Sequence, residues 1–241
     1  MSRKSRRNRP DPAPGAAAPH EAETGRVSRR GLVVGALVGA LAIAAAVVLF
    51  SGKNTGESGS AAGGNAAALA SEHAPQLGDP QAKVHIVEFL DPACETCALF
   101  YPLVKQAMAQ NPGQIRLSVR HVAFHQGADF VVRLLEAARE QDKYWETLEI
   151  LLAKQAEWAI HHVVYPDLAL QAVAAVGLDL ERLKADMESP AVLERVQRDR
   201  ADAMTLQVTK TPQYFVNGRQ MPSFGQQQLL TLIGEELRKA Y

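Results

Sequence analysis

Two cysteines occur in the 241 residues, and they stand one helical turn apart as Cys94-Glu95-Thr96-Cys97. Residues i and i+3 of a helix share a face, so both sulfurs would come within bridging range. The turn Asp91-Pro92-Ala93 places Cys94 at the first helical position. There the unpaired N–H groups and the positive end of the helix dipole favour a thiolate. A thiolate is the form that attacks disulfides, and a lowered pKa supplies more of it at neutral pH. Cys97, one turn further in, should be less accessible and suits a resolving thiol that closes the ring and releases the product.

Two plainer uses of the pair weigh less. A structural bridge over so short a loop contributes about 2 kcal/mol on the entropy model, the low end for a disulfide. Half a zinc site would require two further ligands, and no second cysteine pair exists. Of the seven histidines, only His161 and His162 are adjacent, and neighbours on a helix point apart. The pattern therefore predicts no metal site and no cofactor.

The elements that must hold this pair are legible around it. Val84 to Leu90 is a β-rich apolar run bounded by Pro80 and Pro92, a buried strand. Helical spacing begins at Cys94 and stops at Asn111-Pro112-Gly113. Ile115 to Val122 alternates as a second strand, with Arg116 and Arg120 expected on a solvated face. A mostly helical block of about residues 127–206 follows, with breaks near Gln141-Asp142, Tyr165-Pro166, Gly177 and Ser189-Pro190. Trp145 and Trp158 fall within it as core candidates. Tyr214-Phe215-Val216 is a third strand, Asn217-Gly218 a hairpin signal, and Pro222-Ser223 opens a final amphipathic helix. Strand–helix–strand, a helical block, a hairpin and a helix specify an α/β sheet with a helical insertion over residues 81–241.

Ahead of it the composition changes. Residues 1–30 carry eight bases against three acids. The remainder is mildly acidic and gives no electrostatic reason to bind nucleic acid. Gly31 to Phe50 is an unbroken apolar run of twenty residues, long enough for a bilayer's hydrocarbon core of roughly 30 Å and lacking the polar face of a soluble helix. The bases precede the run, so 1–30 is expected as a basic cytoplasmic head, 31–50 as a transmembrane helix, and the rest across the membrane. Ser28-Arg29-Arg30-Gly31-Leu32 also looks like a twin-arginine export signal. Ala68-Leu69-Ala70 has the form of a cleavage site but lies far beyond the apolar run. A retained anchor is the preferred reading. Residues 51–80, rich in Gly, Ser, Ala and Asn, read as a flexible linker.

Over about residues 80–240 the sequence resembles the thioredoxin superfamily, and within it the DsbA-like thiol–disulfide oxidoreductases. The resemblance rests on an ordered set of features. Val87-Glu88-Phe89-Leu90-Asp91-Pro92-Ala93-Cys94 is the strand-then-CxxC arrangement, with Glu88 at the position of the family's buried acid. In the family that acid helps move a proton to or from the resolving cysteine. Thr211-Pro212 before Tyr214 matches the cis-proline loop that lies against the cysteines and binds substrate backbone. The long separation of Cys97 from Pro212 looks like the family's inserted helical domain, and Pro102 like the proline that kinks the first helix.

The resemblance implies a thioredoxin-like fold with a helical insertion, catalytic Cys94, Cys97 and Glu88, and substrate-binding Thr211 and Pro212. Glu95 and Thr96, between the cysteines, would tune the potential. They are neither the Pro-His of strong oxidases nor the Gly-Pro of thioredoxins. Glu95 opposes the helix dipole, so a Cys94 pKa moderately below that of a free thiol is expected. The partners implied are protein thiols or disulfides and a membrane redox partner, either a quinone-linked oxidase or a transmembrane reductant. The setting is the periplasmic side of a bacterial inner membrane. A dithiol oxidase ranks first, a reductase or maturation factor second and an isomerase third. From another class, an anchored peptide-holding chaperone or a copper carrier would use the same residues without turnover, since Cu(I) favours thiolates.

Overall fold

The computed structural model describes residues 65–241. The basic head at 1–30, the membrane span at 31–50 and the first part of the linker lie outside them. Among the described residues no helix is long and apolar enough to cross a membrane.

At the centre is a five-stranded sheet. Its strands are β1 (Gln76–Gly78), β2 (Val84–Leu90), β3 (Ile115–His121), β6 (Gln213–Val216) and β7 (Arg219–Gln220), in the order β1-β3-β2-β6-β7. β2 and β3 are parallel, and the other pairs are antiparallel. The β2–β3 crossover is α1 (Glu95–Gln110), which keeps Pro102 inside it. The side-chain period of two sorts β2 between two cores. Val84, Ile86 and Leu90 join the large cluster beneath α1, whereas Val87 and Phe89 join a smaller one on the opposite face with Phe215, Ala203 and Leu206. Glu88 falls on the α1 side by the same parity, fully buried.

The insertion comprises α2 (Ala128–Arg139), α3 (Tyr144–Ala153), α4 (Gln155–Trp158), a hairpin of β4 (Ala159–Ile160) and β5 (Val163–Val164), α5 (Pro166–Ala172), α6 (Leu180–Asp186) and α7 (Pro190–Thr205). Three of its boundaries have local causes. Pro166 and Pro190 open α5 and α7, where a missing N–H costs nothing. Gly177 closes the 3₁₀ turn at Ala174–Val176 at φ +81°. Trp158 is core and Trp145 packs partly buried against it. The last helix, α8 (Gln226–Ala240), packs on β2 and β6.

Four expectations require correction. Residues 65–80 are folded: 65–70 is helical, and β1 pairs with the edge of β3. The physical reason is Arg120, which is fully buried rather than solvated. Its guanidinium donates to the carbonyl of Ala68 at 2.9 Å and to Ser71 Oγ at 3.0 Å, so the upstream segment supplies acceptors that β3 requires. The Ala68-Leu69-Ala70 stretch lies in that helical turn, with Ala68 buried. His161 and His162 are not helical but form the turn of the β4–β5 hairpin, both at positive φ. Finally, α8 opens at Gln226, four residues past Pro222, because Gly225 at its start has a non-helical backbone.

Candidate active site

The dithiol sits where β2 gives way to α1. Asp91, fully buried, holds the turn: Oδ1 accepts from Ala93 N at 2.8 Å, while Oδ2 accepts from Phe124 N at 2.7 Å and His125 N at 2.9 Å. His125 Nδ1 is also 2.8 Å from Oδ2. One carboxylate thus ties the turn to the loop after β3. From the other side Gln155, buried at the start of α4, donates through Nε2 to Pro92 O at 2.7 Å and Cys94 O at 3.1 Å. The CETC turn is clamped between sheet and insertion.

Cys94 is the residue just before the helix, at φ −82° and ψ 114°, rather than its first helical position. Both cysteines carry free thiols, Cys94 7% exposed and Cys97 fully buried. The Cys94 thiol is lowered to about 5, chiefly by hydrogen bonding from Cys97 and despite burial, with further hydrogen bonds from the Thr211 side chain and the amides of Cys97 and Thr96. That is deeper than the moderate lowering expected. Glu95 is exposed, where water screens its charge, whereas Thr96 acts through its backbone. Burial pushes the Cys97 thiol far up, reinforced by Cys94 and by the charge of Glu88.

Pro212 lies on the same face. The Thr211–Pro212 peptide is cis, and Thr211 O is 3.5 Å from Cys94 Sγ. Beside it a small cleft is lined by Pro212, Tyr214, Met221, Pro222 and Phe224. Phe224 is half exposed and stacks on Phe100 at 5.0 Å between centroids. Glu88, buried on the α1 side of β2, is near enough for its charge to act on both cysteines. Burial raises its carboxyl to about 8, against a hydrogen bond from Tyr214 that favours the charged form. The structure thus gathers Cys94, Cys97, Glu88, Thr211, Pro212, Glu95 and Thr96 around one helix end. Among the described residues no three His, Cys, Asp or Glu side chains are grouped to hold a metal ion.

Asp91, Gln155 and Tyr214 were not among the residues expected at the site. The Asp-Pro turn hints at the first. Gln155 carries no local signal, and Tyr214 acquires its role only through the pairing of β6 with β2.

A redox-capable CxxC at a helix's opening, faced by a cis-proline and set in this sheet, defines a thioredoxin-type thiol–disulfide protein. The thioredoxin family model matches residues 70–235, and the chain belongs to that family. A thioredoxin-like oxidoreductase from Silicibacter pomeroyi is 31% identical, with a TM-score of 0.62 over 72% of this chain and 98% of its own. The Wolbachia pipientis protein alpha-DsbA1 shares the fold at 18% identity, with a TM-score of 0.63 over 73% of this chain and 97% of its own. Among curated proteins, a Na(+)/H(+) antiporter NhaA of Herminiimonas arsenicoxydans is 32% identical over 162 residues, 67% of this chain but 25% of that protein. The chain thus corresponds to about a quarter of that relative's length.

Proposed function

We propose that this protein is an extracytoplasmic dithiol oxidase that transfers its disulfide to protein thiols. The observation that carries the reading is the placement of the pair: Cys94 at the opening of α1 with Sγ 3.5 Å from Thr211 O, and Cys97 fully buried one turn behind it, an arrangement that lowers the Cys94 thiol and raises the Cys97 thiol. A stabilised Cys94 thiolate favours the reduced form, which makes the disulfide form the stronger oxidant. The lowered Cys94 thiol thus shifts the pair toward the oxidising side of an unperturbed dithiol.

A substrate thiolate attacks Cys94 Sγ of the Cys94–Cys97 disulfide, and the ring bond breaks. Cys97 leaves with the electron pair and takes a proton from the Glu88 carboxyl. A second substrate thiolate then attacks the substrate sulfur of the mixed disulfide. The substrate's own disulfide forms, and Cys94 departs as the stabilised thiolate. The substrate loses two electrons and the protein gains them. Thr211, Pro212 and the small cleft that Pro212 shares with Met221, Pro222 and Phe224 offer an extended peptide a place to lie beside Cys94. Reoxidation falls to a membrane partner, a quinone-linked oxidase.

The apolar run at 31–50 and the basic residues before it support an anchor in the inner membrane with the catalytic domain on the periplasmic side.

The test is the equilibrium potential of the full-length protein against glutathione, together with oxidative refolding of a reduced, unfolded substrate. A value on the oxidising side of about −180 mV and loss of turnover in Cys94→Ala are expected. A value in the thioredoxin range, about −270 mV, would make the protein a reductant instead. Copper binding without turnover would make it a carrier.

A further inference from the structure

The dithiol mechanism requires a proton donor and acceptor for Cys97 but assigns nothing to the buried phenol beside it. Glu88 of β2 and Tyr214 of β6 are direct partners in the antiparallel register, so their side chains leave the same face of the sheet side by side. Both are fully buried. Tyr214 Oη donates to Glu88 Oε1 at 2.8 Å. The second carboxyl oxygen, Oε2, is buried with no hydrogen-bond partner. The tyrosine ring is held on its flat side by Phe100, with centroids 6.2 Å apart and planes 23° from parallel.

An unpartnered carboxyl oxygen deep in a core is costly unless it has a transient partner. The group most able to supply one is the Cys97 thiol, whose own charge balance is set in part by Glu88. We propose that Tyr214 is a positioning residue for proton transfer: by fixing its hydrogen on Oε1, it dedicates Oε2 to exchanging a proton with Cys97. The inference rests on the dithiol chemistry proposed above. The other charged or titratable groups that feel Glu88 are Cys94, Tyr101 and Tyr144. The two phenols are engaged elsewhere, Tyr101 donating to Glu149 at 3.1 Å and Tyr144 lying 2.7 Å from His121 Nε2. Tyr214 alone of the three bonds the carboxyl.

The phenol's hydrogen bond favours the carboxylate, so its removal makes Glu88 a weaker acid. The experiment follows closure of a mixed disulfide between Cys94 and a small aromatic thiol in the full-length protein. Its rate is read from pH 5 to 10 alongside the melting temperature. In this direction Cys97 gives its proton to Oε2, attacks Cys94 Sγ and expels the aromatic thiolate with its electron pair. The wild type should speed up with an inflection at the Glu88 value, about 8 in the dithiol form and somewhat lower in the mixed disulfide, where Cys94 carries no charge. Tyr214→Phe, which keeps the ring against Phe100, should move that inflection up by about one pH unit and slow closure at pH 7 about tenfold. A 3-fluorotyrosine placed at 214, a stronger donor of almost the same size, should move the inflection down.

In a Glu88→Gln background Tyr214→Phe should have no further effect on the rate. A lower melting temperature with the inflection unmoved would reduce Tyr214 to a packing role and overturn the proposal. An equal tenfold loss in the Glu88→Gln background would do the same, because the phenol would then act by another route. A wild type that exchanges no thiols at all would sink the oxidoreductase reading itself, a distinguishable outcome.

Discussion

Cys94 and Glu88 pull on stability in opposite directions as pH rises. Cys94 is a depressed acid in the reduced protein, about 5 against a reference of 9. Its contribution is fully present above pH 9 and is lost as pH falls through 5. Glu88 is a raised acid, about 8 against 4.5. Its buried neutral form is compatible with the fold at low pH, and stability is lost as pH rises from 4.5 toward 8. In the disulfide Cys94 has no proton to lose and its contribution vanishes, whereas Glu88 keeps the burial that is the main cause of its shift and loses only the lesser push of the Cys94 charge. The stability of the reduced protein minus that of the oxidised one should therefore fall between pH 7 and pH 5, by about 2 kcal/mol. Urea titrations of both forms at several pH values measure it. A difference that stays flat across this window would mean that Cys94 titrates nowhere near 5.

The turn that carries Cys94 is an element-level object, and its carbonyls are gripped from outside by Gln155. Those carbonyls lie on the strand side of amides that stabilise the thiolate, so releasing them should loosen the amides' aim. Gln155→Leu should cost about 1–2 kcal/mol in stability, the range for a lost buried hydrogen bond. It should also raise the Cys94 pKa, read from thiolate absorbance against pH. An unchanged pKa with the same loss of stability would show that the helix end holds its shape unaided. At this scale the sequence is informative wherever the cause is local. β2 and α1 follow from apolar period and flanking prolines, and Asn217-Gly218 takes the positive φ values that a tight hairpin demands, +48° and +80°. The β4–β5 hairpin escapes the same reasoning. Its turn is His161-His162, a pair without the glycine that marks a tight hairpin in a sequence. It is held there by tertiary contacts, the stacking of His162 on His125 at 5.4 Å and the bridge from Gln126 to Val163. Gln155 is hidden in the same way, since only the folded chain brings α4 to the dithiol.

For the described domain as a whole, the buried charge on β3 joins three regions distant in sequence. Arg120 donates to Asp199 through Nε and to Asp202 through a terminal nitrogen, both at 2.5 Å. Asp199 also accepts the His121 amide at 2.6 Å and lies 2.8 Å from His73 Nε2. β3, α7 and the segment before β1 therefore share one polar centre on the side of the sheet away from the dithiol. An alternating strand with arginines reads as solvated because sequence shows the charge but not the cover. Here the cover is α7 and residues 65–73, the part whose composition reads as a linker. Removing one member of such a network leaves the others charged and buried, which costs about 3–5 kcal/mol. Asp199→Ala should reach that range, because it strips Arg120, His73 and the His121 amide together. Glu181→Ala, which breaks the exposed pair with Lys184, should cost under about 1 kcal/mol. Asp199→Ala should also open the upstream segment first, so amides of residues 65–78 should exchange with solvent faster than those of β2. Equal protection of the two regions in that variant would mean that β1 pairing, not the charge network, fastens the segment to the domain.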